Sequence, residues 1–137
     1  MKSEKQIIKT TIVSAFLTAL FWSIAIYVYI AYFTELGIDD SVGIGLGLMY
    51  SITVGFFVGG IIGLIIGLTN LSIVKSLITG TVICFVFWLF FSIRDTMRFE
   101  LSLSQVFGQL KFMLIPVVLV GVASAISSAM FNKSDET

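Results

Sequence analysis

The chain has 137 residues, of which 58% are apolar and only 12% are charged, with eight basic residues, eight acidic residues and no histidine. A typical soluble domain carries about twice that share of charge, so this composition excludes an ordinary soluble domain. Zero net charge without blocks of like charge also excludes nucleic acid as a partner, and the lone Cys84 excludes a disulfide within the chain.

The charges separate four uncharged stretches, residues 10–34, 41–74, 76–93 and 112–132, the shortest of which holds 18 residues. At about 1.5 Å of rise per helical residue, each can cross a hydrocarbon core about 30 Å thick, the third only just. The sequence therefore predicts an all-α integral membrane protein. We expect a single domain, residues 1–137, folded as a four-helix bundle with spans at about 10–33, 42–68, 73–93 and 112–131.

The connections between the spans carry turn and capping signals. Ser41 and Ser72 are placed to cap the second and third helices. Ser102 and Gln105 match a capping box, which predicts a short amphipathic helix that continues into the fourth span. Pro116 lies inside that span and predicts a kink, because proline removes one backbone hydrogen bond.

Lysine and arginine placement favours an orientation with both termini in the cytoplasm, in the plasma (inner) membrane. The basic residues divide five against three, a bias small enough to leave insertion in both orientations open. The cytoplasmic side would carry Lys2, Lys5, Lys9, Lys75 and Lys133, and the opposite side Arg94, Arg98 and Lys111.

The second span contains the sharpest pattern in the chain, a small residue at every fourth position. Glycine costs a helix about 1 kcal/mol relative to alanine, so six glycines on one stripe need a compensating contact. In lipid, small residues let two helix backbones approach closely. Four residues turn a helix by about 400°, so the stripe winds and one straight partner cannot follow all of it. This glycine ridge comprises Gly43, Gly47, Ser51, Gly55, Gly59, Gly63 and Gly67.

The other spans carry shorter stripes of the same kind, which predicts a compact bundle with the second helix at its centre. We expect Gly55 and Gly59 to lie at a helix–helix contact, within the chain or, as the alternative, against a second copy or another subunit. The matching stripes are Thr11, Ala15, Ala19 and Ser23 in the first span, Ser76, Gly80 and Cys84 in the third, and Gly121, Ala125 and Ala129 in the fourth.

The spans offer no catalytic chemistry, since they contain no histidine, no paired carboxylates and no nucleophile beside a base. We therefore expect no enzyme, no cofactor and no metal. Arg94 and Arg98 are four residues apart and form a possible contact for an anionic headgroup or partner, with interfacial anchoring as the simpler alternative. Acidic residues in the connections could gather around a divalent cation, but solvation of the loops explains them more simply. They are Glu35, Asp39, Asp40, Asp95 and Glu100.

Two functions remain. The first is a non-enzymatic accessory, assembly or inhibitory subunit that binds a larger membrane complex through its helix faces. The second is a homo-oligomeric channel or carrier for a small solute, with a path lined by hydroxyls such as those of Tyr50, Ser51 and Thr53. The expected partners are the lipid bilayer and other membrane subunits or further copies of the chain.

Overall fold

A computed structural model describes residues 3–33, 41–100 and 102–132, with backbone only at residues 29–33, 41–44, 95, 99, 109–112 and 132. The described residues form four α-helices and no strands. The helices are α1 (Glu4–Phe33), α2 (Ser41–Thr69), α3 (Ile73–Phe99) and α4 (Leu103–Asn132). All four are long and apolar enough to cross a membrane, which confirms the predicted all-α class and the number of spans.

The helices extend beyond the predicted spans. α1 begins at Glu4 rather than near residue 10, α3 ends at Phe99 rather than near 93, and α4 begins at Leu103 rather than near 112. Helical hydrogen bonds are local, so a helix can continue past the point where its side chains become charged. The uncharged stretch therefore indicates which residues lie in lipid, and it does not indicate where the helix ends.

Two helices begin at reciprocal caps. The Gln105 backbone N–H donates to Ser102 Oγ over 3.4 Å, and Gln105 Oε1 accepts from the Ser102 N–H over 2.9 Å. This confirms the predicted capping box, and α4 runs from it into the predicted fourth span as one continuous helix. Ser3 and Gln6 form the same motif before α1. Ser72 holds the predicted N-cap position of α3 without a side-chain capping bond.

α1 has the most extensive contacts, and it lies against both α2 and α4, while α4 packs in turn against α3. α2 touches all three other helices, although it meets α3 and α4 only sparsely, so its position at the centre of the bundle stays a prediction. The small-residue stripes alone could not predict this packing order, because the first, third and fourth spans all carry small residues at the same spacing. The apolar core where α2, α3 and α4 converge comprises Val58, Ile62, Ile66, Cys84, Val117 and Val120.

Pro116 is buried, and α4 is helical on both sides of it. The kink at this residue stays a prediction, as does the single-domain organisation of residues 1–137.

Two non-glycine residues end helices in the left-handed conformation, Asn70 after α2 and Glu100 after α3, with φ of 54° and 51°. Asparagine tolerates this conformation, whereas a longer L-residue is disfavoured there by about 1–2 kcal/mol. We expect Glu100→Gly to raise the free energy of unfolding by about 0.5–1 kcal/mol, because glycine removes the backbone strain at this position. The gain is smaller than the full strain energy, since glycine also has more conformational entropy in the unfolded chain. Unfolding by SDS in mixed micelles measures the change.

Asn70→Gly is the matched control for Glu100→Gly, because it alters the equivalent position of the other turn. We expect a change of at most a few tenths of a kcal/mol from it, since asparagine already adopts this conformation readily. Equal gains from the two substitutions would contradict the explanation from backbone strain.

Candidate functional site

The part of the glycine ridge from Gly55 to Gly67 lies against α1. A Cβ atom added at Gly59 would lie 2.6 Å from Thr18 Cβ, 2.7 Å from the Ser14 carbonyl oxygen and 2.8 Å from Ala15 Cα. Such distances are far below van der Waals contact, and two of the three atoms belong to backbone that cannot move aside alone. The two helix backbones therefore touch at this point, and only glycine fits.

The close approach continues one turn to either side of Gly59. A Cβ atom at Gly55 would lie 2.7 Å from Ala19 Cα, and one at Gly63 would lie 2.7 Å from Thr11 Cα. At Gly67 the nearest atom is Ile7 Cγ2 at 3.2 Å, so the helices separate slightly there. Among the four ridge glycines from Gly55 to Gly67, the first three are thus the closest points of an antiparallel interface.

The remaining ridge positions differ. Ser51 is buried, and its Oγ donates to the Gly47 carbonyl oxygen of its own helix over 2.7 Å. Gly47 is half-buried, and the surroundings of Gly43 lie outside the described residues. Four consecutive small residues of the ridge, Gly55, Gly59, Gly63 and Gly67, thus face α1.

A second crossing of small residues joins α3 and α4. A Cβ atom at Gly80 would lie 2.7 Å from Ser124 Cβ and 3.2 Å from the Val120 carbonyl oxygen. On the other side, a Cβ atom at Gly121 would lie 3.1 Å from the Leu77 carbonyl oxygen and overlap the Thr81 hydroxyl. Each helix presents its glycine to the partner backbone, a reciprocal arrangement that brings the two axes close together.

Hydroxyl groups fill the interior beside these glycines. Most bond within their own helix, as Thr10 Oγ1 does to the Gln6 carbonyl and Ser124 Oγ to the Val120 carbonyl. Ser128 Oγ instead donates to the Leu71 carbonyl over 2.8 Å, which ties α4 to the turn before α3. Within the described part of the chain, three buried hydroxyls lack a hydrogen-bond partner: those of Ser14, Thr18 and Ser127.

A cleft of about 170 Å³ lies between the helices in the half of the bundle nearer Phe99. Its floor is Trp88, which is 5% exposed, and its mouth is marked by the exposed side chains of Tyr50 and Arg94. Both tryptophans of the chain line it. This aromatic cleft is lined by Trp22, Tyr50, Val54, Phe87, Trp88, Phe91, Arg94 and Met113.

Arg94 and Arg98 occupy different surroundings. The Arg94 guanidinium lies 5.0 Å from the centre of the Phe91 ring, in a cation–π contact at the mouth of the aromatic cleft. Arg98 is exposed one turn further toward the end of α3 and does not line the cleft. The two predicted cations therefore share one end of the bundle, but of the two only Arg94 lines the aromatic cleft.

The acidic residues considered for a cation are only partly described. Glu100 is exposed. The side chain of Asp95 and the residues Glu35, Asp39 and Asp40 lie outside the described part of the structure. Among the residues that are described, no group of three or more His, Cys, Asp or Glu side chains comes together.

Sequence reasoning missed the aromatic cleft. Its residues come from all four helices, so no local pattern joins them. One signal exists on α3, where Phe87, Trp88, Phe91 and Arg94 recur at spacings of three and four and share a face.

Fold and site together define a small all-α protein with four potential membrane spans, two crossings of small residues and one aromatic cleft. Comparison with protein families, with curated proteins and with solved structures finds no match to the chain. Its function is therefore inferred from the geometry.

Proposed function

We propose that the chain is a non-enzymatic accessory, assembly or inhibitory subunit that binds a larger membrane complex through an exposed helix face. The observation that carries this proposal is the division between interior and exterior. The small-residue contacts from Gly55 to Gly63 and between Gly80 and Gly121 are made within the chain. What the described helices present outward is a broad apolar surface, with charges near the helix ends.

The arrangement of the hydroxyls supports this proposal over a channel or carrier. Ser51 is buried and Thr53 is exposed, and each donates to the carbonyl four residues earlier in its own helix. Tyr50 lies at the mouth of the aromatic cleft. Successive helical residues point about 100° apart, so these three side chains do not converge on one path. A channel needs a continuous polar lining.

The face of α3 opposite α4 is the surface we assign to the partner. α3 is the least buried of the four helices, and one side of it carries a regular row of large apolar residues. Stiff β-branched side chains dominate the row and lose little entropy when another helix packs on them. The α3 row comprises Val74, Ile78, Val82, Val86 and Phe90.

The proposal also includes the plasma (inner) membrane as location and a cytoplasmic position for both termini. The described basic residues near the start of α1, Lys5 and Lys9, are exposed, and so is Lys75 in the first turn of α3. Counted over the whole sequence, with Lys2 and Lys133, this side carries five basic residues against three on the other, and this excess supports the orientation.

A photo-crosslinking residue at Val82 tests the proposal in native membranes. Val82 is 52% exposed at the middle of the α3 row. We expect irradiation to link it to one foreign membrane protein, and extraction into lipid nanodiscs to give an intact assembly in which that protein is present at a fixed ratio.

Leu20 is the matched control position, since it is 56% exposed on α1 and lies outside the α3 row. From this position we expect lipid adducts only. Adducts between two copies of the chain at Val82, with a pure homo-oligomer in the nanodiscs, would favour the channel hypothesis. Lipid adducts alone at both positions would contradict the accessory-subunit proposal.

A further inference from the structure

The aromatic cleft combines an apolar interior with a cation at its mouth. Phe87 and Trp88 lie about 10 Å deeper along α3 than Arg94, at about 1.5 Å of rise per residue. Arg94 directly follows the uncharged stretch 76–93, so in a bilayer it lies at the level of the lipid headgroups, while the aromatic floor lies at the level of the acyl chains.

The volume of the cleft limits what can enter it. Sites for whole drug-sized ligands measure about 300–1,000 Å³, whereas an apolar cavity of about 150 Å³ admits one benzene molecule. At about 170 Å³, the cleft accepts a short stretch of hydrocarbon rather than a complete small molecule. A ligand that fits must therefore leave most of its length outside, as a lipid does in a bilayer.

The mouth selects the charge of that ligand. A guanidinium offers five N–H donors in a planar fork, enough to hold two phosphate oxygens while it also contacts another group. The Phe91 ring, 5.0 Å from the guanidinium carbon of Arg94, helps to fix its position. The exposed Tyr50 side chain adds a hydroxyl donor on the opposite wall, from α2.

From this geometry we propose that the aromatic cleft binds a membrane lipid with an anionic headgroup. One acyl chain enters between α2 and α3 and contacts Trp22 and Trp88, and the phosphate accepts hydrogen bonds from Arg94 and Tyr50. This site goes beyond the accessory function and does not depend on it, because the α3 row assigned to the partner contributes no residue to the cleft.

The two tryptophans provide the test, since both line the cleft and the chain has no others. The full-length protein is reconstituted in nanodiscs in which a fraction of the lipid carries bromine atoms on its acyl chains, which quench nearby indole fluorescence. At equal mole fraction, we expect brominated phosphatidylglycerol to quench several-fold more strongly than brominated phosphatidylcholine. Unlabelled phosphatidylglycerol reverses the quenching, whereas soluble glycerol phosphate does not.

Arg94→Gln and Arg98→Gln form a matched pair of variants. We expect Arg94→Gln to lower the apparent affinity for phosphatidylglycerol about tenfold, as for the loss of one charge-assisted hydrogen-bonded contact. Arg98→Gln removes the same charge outside the cleft and changes the affinity less than twofold. Arg94→Lys keeps the charge without the fork and gives an intermediate value.

Val54→Phe tests the acyl-chain part of the site without changing any charge. Val54 lines the cleft, so a larger side chain there fills the space and lowers quenching by both lipids. The comparison of brominated phosphatidylglycerol with brominated phosphatidylcholine uses the wild-type protein. It therefore tests the proposal even if a substitution prevents folding.

Equal quenching by the two lipids in the wild-type protein would overturn the proposal, as expected if a protein side chain rather than a lipid occupies the cleft. Equal losses of phosphatidylglycerol affinity from Arg94→Gln and Arg98→Gln would show that the lipid is attracted by the general surface charge. That result would also overturn the proposal. Displacement by glycerol phosphate would indicate a headgroup site without an acyl chain and would contradict the assigned depth.

Discussion

Gly59→Leu is expected to destabilise the protein more than any other single substitution considered. The new side chain must begin within 3 Å of Ser14, Ala15 and Thr18, and no flexible side-chain end is there to yield. Overpacking costs about 1–3 kcal/mol where neighbours can adjust. Here α1 and α2 must move apart along their shared interface, so we expect a loss of about 3 kcal/mol or more, measured by SDS-driven unfolding in mixed micelles.

Gly60→Leu is the control for this substitution. Gly60 is the next residue of the same helix, and a Cβ atom there meets nothing within 4 Å. We expect no loss from it and a gain of up to about 1 kcal/mol from the better helix propensity of leucine. Unchanged expression, melting and stoichiometry in the Gly59→Leu protein would contradict the assigned contact.

Gly80→Ala is expected to have the second largest effect, at the crossing of α3 and α4. Its Cβ atom would lie 2.7 Å from Ser124 Cβ and would overlap the Ser124 hydroxyl. We expect a loss of about 1–2 kcal/mol, because the two helices must separate or Ser124 must leave its position. The same unfolding measurement applies.

Ser124→Gly provides a direct test of that cause, since it removes both obstructing atoms. In the double variant the nearest remaining atom is the Val120 carbonyl oxygen at 3.2 Å. We expect the two substitutions to compensate by about 1 kcal/mol or more in a double-mutant cycle. Gly108→Ala, where a Cβ atom meets nothing within 4 Å, should cause no loss and a gain of up to about 1 kcal/mol from the better helix propensity of alanine. Additive losses from Gly80→Ala and Ser124→Gly would show that steric overlap is not the cause.

The number and approximate positions of the helices could be predicted from the sequence, because the lipid bilayer that surrounds the chain determines them. Uncharged stretches of membrane-spanning length can satisfy their backbone in lipid only as helices. A local capping motif could also be predicted from the sequence, as the two hydrogen bonds between Ser102 and Gln105 show. Ser3 and Gln6 show the same pattern before α1 and would have extended that helix in the prediction.

Partner choice could not be predicted in the same way. A ridge such as Gly55, Gly59 and Gly63 predicts close approach but carries no information on which helix approaches, because several helices offer small residues at the same spacing. The aromatic cleft could not be predicted from the sequence for a related reason. Its residues come from all four helices, so the cleft forms only once the four helices have packed together.

The contact between Gly55 and Ala19 offers the most direct test that the ridge packs within one chain. Ala19 Cβ lies 3.4 Å from where a Gly55 Cβ atom would be, close enough for a carbon–carbon cross-peak in solid-state NMR of the protein in lipid bilayers, with glycine and alanine labelled with carbon-13. We predict that this cross-peak keeps its intensity per labelled chain when labelled protein is diluted with unlabelled protein. A cross-peak that is missing, or that fades on dilution, would show that the ridge faces something other than its own first helix.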